Sequence, residues 1–204
     1  MKIGIFGGSF DPVHNAHVAL ARVALDEMKL DEVRWVPVWQ AWQKARELAP
    51  AADREAMVRL AIEHEPRFAL ERCELRRRGI SFTLDTVREL RAAEPAVDWF
   101  LILGQDQYAG LHTWRDWREL VGLVTLAIAP REGAAAVNPQ VAAHVHRTIA
   151  LPPMAESSTD IRELLAAGRP IDGLVPPQVA SYIARHHLYE AEPDRREGGA
   201  TPRS

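Results

Sequence analysis

The segment Gly7-Gly8-Ser9-Phe10-Asp11-Pro12-Val13-His14-Asn15-Ala16-His17 gathers residue types suited to one task, the binding of phosphate. Apolar Ile3-Gly4-Ile5-Phe6 in front of it reads as a strand, and the spacing of Val18, Ala21, Leu25 and Met28 behind it reads as a helix. A strand, a small-residue turn and a helix start place backbone N–H groups and the positive end of a helix dipole against an anion. Gly7, Gly8 and Ser9 let the backbone approach that anion, and Phe10 extends the same stretch of backbone. No Gly-Lys-Ser/Thr follows, so the turn is not a P-loop, and its spacing is not the G-x-G-x-x-G dinucleotide fingerprint. His14 and His17 lie three residues apart on one face of the helix start, where both rings can turn an N–H toward the same anion. Two other readings of the pair stay open. The histidines can be local caps or packing groups, or they can be metal ligands. A metal would need a third ligand at recognisable spacing, and the sequence holds no HExxH and no Cys/His cluster.

A second anion-binding constellation lies far downstream in Glu156-Ser157-Ser158-Thr159-Asp160-Ile161-Arg162. Hydroxyls and N–H groups at a helix start, with an arginine one turn in, form a phosphate site through Ser158, Thr159 and Arg162. Alone, the segment is an ordinary N-cap followed by a surface arginine. Paired with the glycine turn, it becomes a second half-site for one triphosphate. Between them, Leu103-Gly104-Gln105-Asp106 follows an apolar run directly, at a strand's carboxyl end, where open α/β sheets bind ligands. Gly104 allows close approach there, and Asp106 can accept hydrogen bonds from ribose hydroxyls.

The elements that must hold these residues alternate along the chain. Strands are expected at Ile3 to Phe6, Val33 to Val38, Phe100 to Leu103, Leu123 to Ala129 and Thr148 to Leu151. Helices are expected at His17 to Met28, Asp53 to Glu65, Thr83 to Ala92, Trp114 to Val121, Pro139 to His146, Ser158 to Ala167 and Pro177 to His186. Gly168 sits where a left-handed residue ends the sixth of these helices. This order gives an α/β fold, Rossmann-like and doubly wound, with a mainly parallel sheet and helices on both faces. One domain over residues 1–190, with a helical C-terminal part from about 157, accounts for the chain, and 191–204 reads as a disordered charged tail.

With 204 residues, 47% of them hydrophobic, the chain can bury a sizeable core. A formal net charge of -3 gives no general attraction to nucleic acid, so anionic ligands must be held by local groups. The single cysteine, Cys73, excludes an internal disulfide and fits a reducing compartment. The N-terminal residues are too quickly interrupted for a signal peptide, and no apolar run reaches the roughly 20 residues of a membrane helix. A cytoplasmic protein is the simplest reading. The oligomeric state is left open, a homo-oligomer being compatible with the sequence.

GGSFDPVHNAH resembles the G-G-[ST]-F-D-P-x-H-x-G-H motif of the nucleotidylyltransferase superfamily, in particular of bacterial nicotinate-nucleotide adenylyltransferases, with Ala16 in place of the usual glycine. Glu156 to Arg162 is similar to the family's I-S-[SA]-T-x-I-R, with Glu156 at its apolar first position. Leu103 to Asp106 resembles I-[IL]-G-x-D, Thr113-Trp114 matches a T-W element, and Ile80-Ser81-Phe82-Thr83 is similar to p-S-Y-T. The resemblance implies that Trp114 stacks on the pyridine ring of a mononucleotide, although a tryptophan at a helix start is otherwise read as packing, the role that fits Trp117. It also implies that N–H groups around Thr83 and Arg115 receive the nicotinate carboxylate. Trp39-Gln40-Ala41-Trp42-Gln43-Lys44 stands where many relatives carry P-P-H-K. Lys44 remains to contact a substrate phosphate, and the loop reads equally as a lid or as packing. Arg54 and Met57 match an R-x-x-M that reads as structural, and Arg76-Arg77-Arg78 reads as a solvated charge run.

The reaction so implied joins ATP and nicotinate mononucleotide into the dinucleotide with release of pyrophosphate, without a covalent enzyme intermediate. Catalysis reduces to alignment and charge stabilisation by His17, His14 and Arg162. Mg²⁺ is expected on the ATP phosphates, since no carboxylate cluster demands a dedicated metal site. Pantetheine-phosphate adenylyltransferase, another nucleotidylyltransferase, and a non-catalytic ATP-binding regulatory module are the alternatives.

Overall fold

The computed structural model describes residues 1–41, 47–131, 133, 135–152, 154 and 156–191. The chain opens with β1 (Lys2–Gly8), α1 (Asn15–Glu27), β2 (Glu32–Pro37) and β3 (Gln40–Ala41). Next come α2 (Ala51–Ile62), β4 (Phe68–Leu70), α3 (Cys73–Arg77), β5 (Ile80–Ser81) and α4 (Thr83–Ala93). β6 (Asp98–Gly104) leads into α5 (Gln105–Gly110), a 3-10 turn at Leu111–Thr113, and α6 (Trp117–Leu123). The remaining elements are β7 (Thr125–Ala129), α7 (Pro139–Ala142), β8 (His146–Thr148), α8 (Ser158–Ala166) and α9 (Pro177–Arg185).

The six-stranded sheet runs β4–β2–β1–β6–β7–β8, with every neighbouring pair parallel. Chain order reverses between β1 and β6, so the crevice at their carboxyl ends is the switch point where such sheets take ligands. Alternation along the strands builds two cores. Phe6, Val33, Trp35, Phe100 and Ile102 pack on one face beneath α1, α2, α8 and α9. Ile3, Ile5, Trp99, Leu101 and Leu103 pack on the other beneath α4 and α6. A parallel sheet needs both faces covered, and this one has them. The doubly wound α/β expectation is met.

Several boundaries moved. The strand expected at Thr148 to Leu151 is β8, which ends at Thr148: the Ile149 N–H still bonds the Ile128 carbonyl, but the Leu151 N–H turns back to the Ile149 carbonyl instead of continuing the ladder. α6 begins at Trp117 rather than Trp114, since Asp116 has φ 48 and breaks the helical path in front of it. α7 stops at Ala142, and His146 is taken into β8. Gly168 has φ 64, the left-handed residue expected after α8. β3, β4, β5, α3 and α5 were not anticipated. The two-residue ladder of β3 and β5 sets Ala41 opposite Ser81 and brings the loop after β2 beside the start of α4. The expected tail lies outside the described residues beyond Ala191.

Candidate active site

The turn after β1 owes its shape to a packed ring. Phe10 has φ 47 and is 1% exposed, and its ring meets Phe6, Trp35 and His17. A Cβ on Gly8 would stand 3.0 Å from that ring, so glycine is what lets the turn close over Phe10. The consequence for ligand binding is specific. The Phe10 side chain belongs to the core, and only its backbone is offered to a ligand. The Asp11–Pro12 bond is cis, and His14 then takes the N-cap of α1 in an extended conformation.

The His14 and His17 rings lie tilted against each other, with centroids 3.7 Å apart. The His14 N–H donates to His17 Nδ1 at 3.2 Å, so neutral His17 carries its proton on Nε2. His14 is buried, and its Nδ1 is enclosed without a hydrogen-bond partner. Burial lowers its pKa from 6.5 to about 4, with the nearby Asp160 carboxylate pulling less strongly the other way. The ring is therefore neutral near pH 7. The pair forms a capping-box arrangement at the start of α1, as the cap reading has it, and the same buried position at a helix N-terminus also favours an anion.

The distant second segment folds directly onto this turn. The Ser158 hydroxyl donates to the Pro12 carbonyl at 3.0 Å, across 146 residues of sequence. Arg162 donates through Nη1 to the Asp11 carbonyl at 2.7 Å and through Nη2 to Thr159 Oγ1 at 3.1 Å. Ser157 caps α8 through the Asp160 N–H, while the Ser158 and Thr159 N–H groups fall at positions that have no intrahelical acceptor. The half-sites do meet, but Ser158 spends its hydroxyl proton on docking them. What α8 offers an anion is its backbone and the Arg162 guanidinium.

At the end of β6, no protein atom lies within 4 Å of where a Gly104 Cβ would stand, so the strand's end is accessible beside β1. Asp106 is exposed in the first turn of α5, 3.5 Å from Arg131. Farther along the same edge, α4 begins at Thr83 with no side-chain cap on its N–H groups. The Arg115 guanidinium lies 4.7 Å over the Phe82 ring, with Asp85 at 3.7 Å and Asp116 at 3.6 Å. Trp114 is partly buried against the second core, whereas Trp117 is 7% exposed within it, as its packing role requires. Lys44 and Trp42 lie outside the described residues. The Arg76–Arg78 run is exposed but not merely solvated. Arg77 pairs with Glu89 at 2.9 Å, and Arg78 lies over Trp39.

Sequence reasoning gave Asp11 and Tyr189 no role. Asp11 is fully buried and accepts at Oδ1 from the Ala49 N–H (3.2 Å) and the Tyr189 hydroxyl (2.7 Å). Arg54, 1% exposed, donates to the Ala49, Ser9 and Trp39 carbonyls at 2.9, 2.9 and 3.0 Å. It pins the phosphate turn, the loop after β2 and the approach to α2 together, which gives the expected structural role a definite content. The only sequence signal for Tyr189 was a Leu-Tyr pair standing just before a charged stretch. Among the described residues, no three His, Cys, Asp or Glu side chains gather as a metal site, and no helix is long and apolar enough to cross a membrane.

A parallel sheet with a small-residue turn and two helix starts at its switch point is the architecture of nucleotide-binding α/β proteins. The model of the cytidylyltransferase-like family matches residues 5–164. A probable nicotinate-nucleotide adenylyltransferase of Methylibium petroleiphilum is 51% identical over 195 residues, covering 92% of each chain. One from Bordetella petrii is 49% identical, covering 92% of this chain and 98% of its own. The chain belongs to the cytidylyltransferase-like family and, within it, to the nicotinate-nucleotide adenylyltransferases. Among solved structures, the Plasmodium falciparum nicotinic acid mononucleotide adenylyltransferase complexed with NaAD superposes with a TM-score of 0.77 at 20% identity. That match covers 92% of this chain and 97% of the other, and it shows a shared fold.

Proposed function

We propose that this chain transfers the adenylyl group of ATP to nicotinate mononucleotide, giving nicotinate adenine dinucleotide and pyrophosphate. The observation that carries the reading is the docking of α8 onto the phosphate turn, which sets Arg162 against the Asp11 carbonyl of that turn. Names borne by relatives at 51% and 49% identity support the same substrates.

The 5′-phosphate of the mononucleotide is already an anion near neutral pH, so it attacks the α-phosphorus in line without a general base and without a covalent intermediate. The chain aligns the reactants and stabilises charge. His17, with its proton on Nε2, donates to the α-phosphate oxygens as negative charge builds there. His14 and the backbone of Gly7, Gly8, Ser9 and Phe10 hold neighbouring oxygens. Arg162 and the Ser158–Thr159 N–H groups take the β- and γ-phosphates and stabilise departing pyrophosphate. A divalent cation such as Mg²⁺, carried on the ATP phosphates, would offset their charge, and no protein carboxylate is assigned to it. Gly104 and Asp106 face the adenosine. The Thr83 N–H, Arg115 and Trp114 hold the nicotinate ring and carboxylate, and Lys44 contacts the mononucleotide phosphate.

The test is pyrophosphate release from MgATP with nicotinate mononucleotide, its amide, or phosphopantetheine as acceptor. Release with the nicotinate acceptor, and much less with the others, is expected. Preference for phosphopantetheine would move the chain to another branch of the family, and no release with any acceptor would make it a binding module.

A further inference from the structure

Asp11 is where three distant parts of the chain are tied to the phosphate turn, and the last tie comes from the C-terminal side. The Asp11 carbonyl holds Arg162, its carboxylate holds the Ala49 N–H, and the same carboxylate oxygen accepts the Tyr189 hydroxyl at 2.7 Å, across 178 residues of sequence. Tyr189 reaches it through a turn after α9 in which His187 (φ 50) and Tyr189 (φ 66) both adopt the left-handed conformation that non-glycine residues rarely take. Leu188 and Tyr189 pack onto the first core and hold that turn in place. Burial pushes the Tyr189 phenol far above its usual range, with the Asp11 carboxylate adding to the effect, so it remains a donor throughout the working pH range. The Tyr189 hydroxyl and the Asp11 carboxylate are spent on each other inside the fold. The carbonyl of the same Asp11 orients Arg162.

We infer that Tyr189 is a positioning residue for ATP, fixing Asp11 so that the Asp11 carbonyl holds the Arg162 guanidinium ready for the triphosphate. A long side chain held before binding loses less freedom when the ligand arrives, so the gain is read as affinity for the nucleotide. The inference rests on the assignment of Arg162 to ATP made above.

A double-mutant cycle on the full chain tests it, with binding of the α,β-methylene analogue of ATP measured by calorimetry, so that no acceptor is needed. Tyr189→Phe should weaken binding about fivefold and Arg162→Lys about tenfold. The double variant should be little weaker than Arg162→Lys alone, because residues acting through one network are not additive. Tyr182→Phe is the control. It deletes a phenol–carboxylate bond of the same kind, to Asp53 at 2.8 Å, and should leave binding within about twofold. Unchanged binding by Tyr189→Phe, multiplicative losses in the double variant, or an equal loss in Tyr182→Phe would overturn the inference. Should Tyr189→Phe lose its cooperative melt, Asp11→Asn takes its place in the cycle and must couple to Arg162→Lys in the same way. A wild-type chain that binds no analogue overturns the inference together with the ATP reading. One that binds it but releases no pyrophosphate with any acceptor overturns the proposed reaction alone.

Discussion

The two halves of the crevice are built on opposite plans. On the side proposed for the triphosphate, almost every polar group is already committed. Arg54 holds three carbonyls, Ser158 and Arg162 dock on the turn, and Asp11 is buried among donors. On the side proposed for the mononucleotide, the β3–β5 ladder pairs only two residues on each strand, Trp39 is 38% exposed, and Arg115 shares loose contacts with Asp85, Asp116 and Phe82. The contrast follows from the chemistry each side must do. Charge develops at the α-phosphate in the transition state, and donors aimed there help most when they need no rearrangement. The acceptor has only to be recognised and placed.

If the triphosphate side is a preset frame, its hidden members should cost most when removed. Arg54→Met removes a buried guanidinium that holds three carbonyls and should destabilise the fold by about 3 kcal/mol or more in urea unfolding. A loss below about 1 kcal/mol would mean the frame is looser than described. His17→Ala should lower kcat by about 10² while leaving the affinity for ATP within a few-fold. An unimpaired variant removes His17 from the chemistry. A smaller effect concerns His14. Its free-state pKa near 4 means the ring is neutral at pH 7, and a bound phosphate must raise that value. Nucleotide binding should then take up protons, and affinity should rise by up to roughly tenfold as pH falls from 7 to 5. Calorimetry at pH 5.5 in buffers of different ionisation enthalpy reads this uptake. Its persistence in His14→Asn would assign it to another group. Arg115→Ala should act least, raising KM for the mononucleotide about fivefold with KM for ATP unchanged. A shift in both constants would erase the division between the two sides.

The same contrast governs what the sequence could reveal. The turn, α1 and the start of α8 were legible because small residues, caps and helical spacing are local signals. Their mutual docking was foreseen as function but not as bonding. Nothing in the sequence marks the Pro12 carbonyl as the partner of Ser158, so a hydroxyl expected on phosphate is found on backbone. β3 and β5 are too short to show any period, and the α6 start was misplaced because Asp116 adopts a left-handed conformation that no glycine announces. Asp11 and Tyr189 stayed hidden for a different reason. Their partners are set by tertiary packing at the full length of the fold, where sequence spacing carries no information.

Proteins leave the ribosome from their N-terminus onward, and the contact between residues 11 and 189 acquires a meaning in that order. The phosphate turn is made long before Tyr189, the hydrogen-bond donor to Asp11 that follows α9. A nascent chain can form β1 and α1 early, but Arg162 and then Tyr189 must appear before the turn is fully tied. If Tyr189 completes the turn as inferred, the proposed nucleotide site reaches its finished form only when synthesis has passed the end of α9.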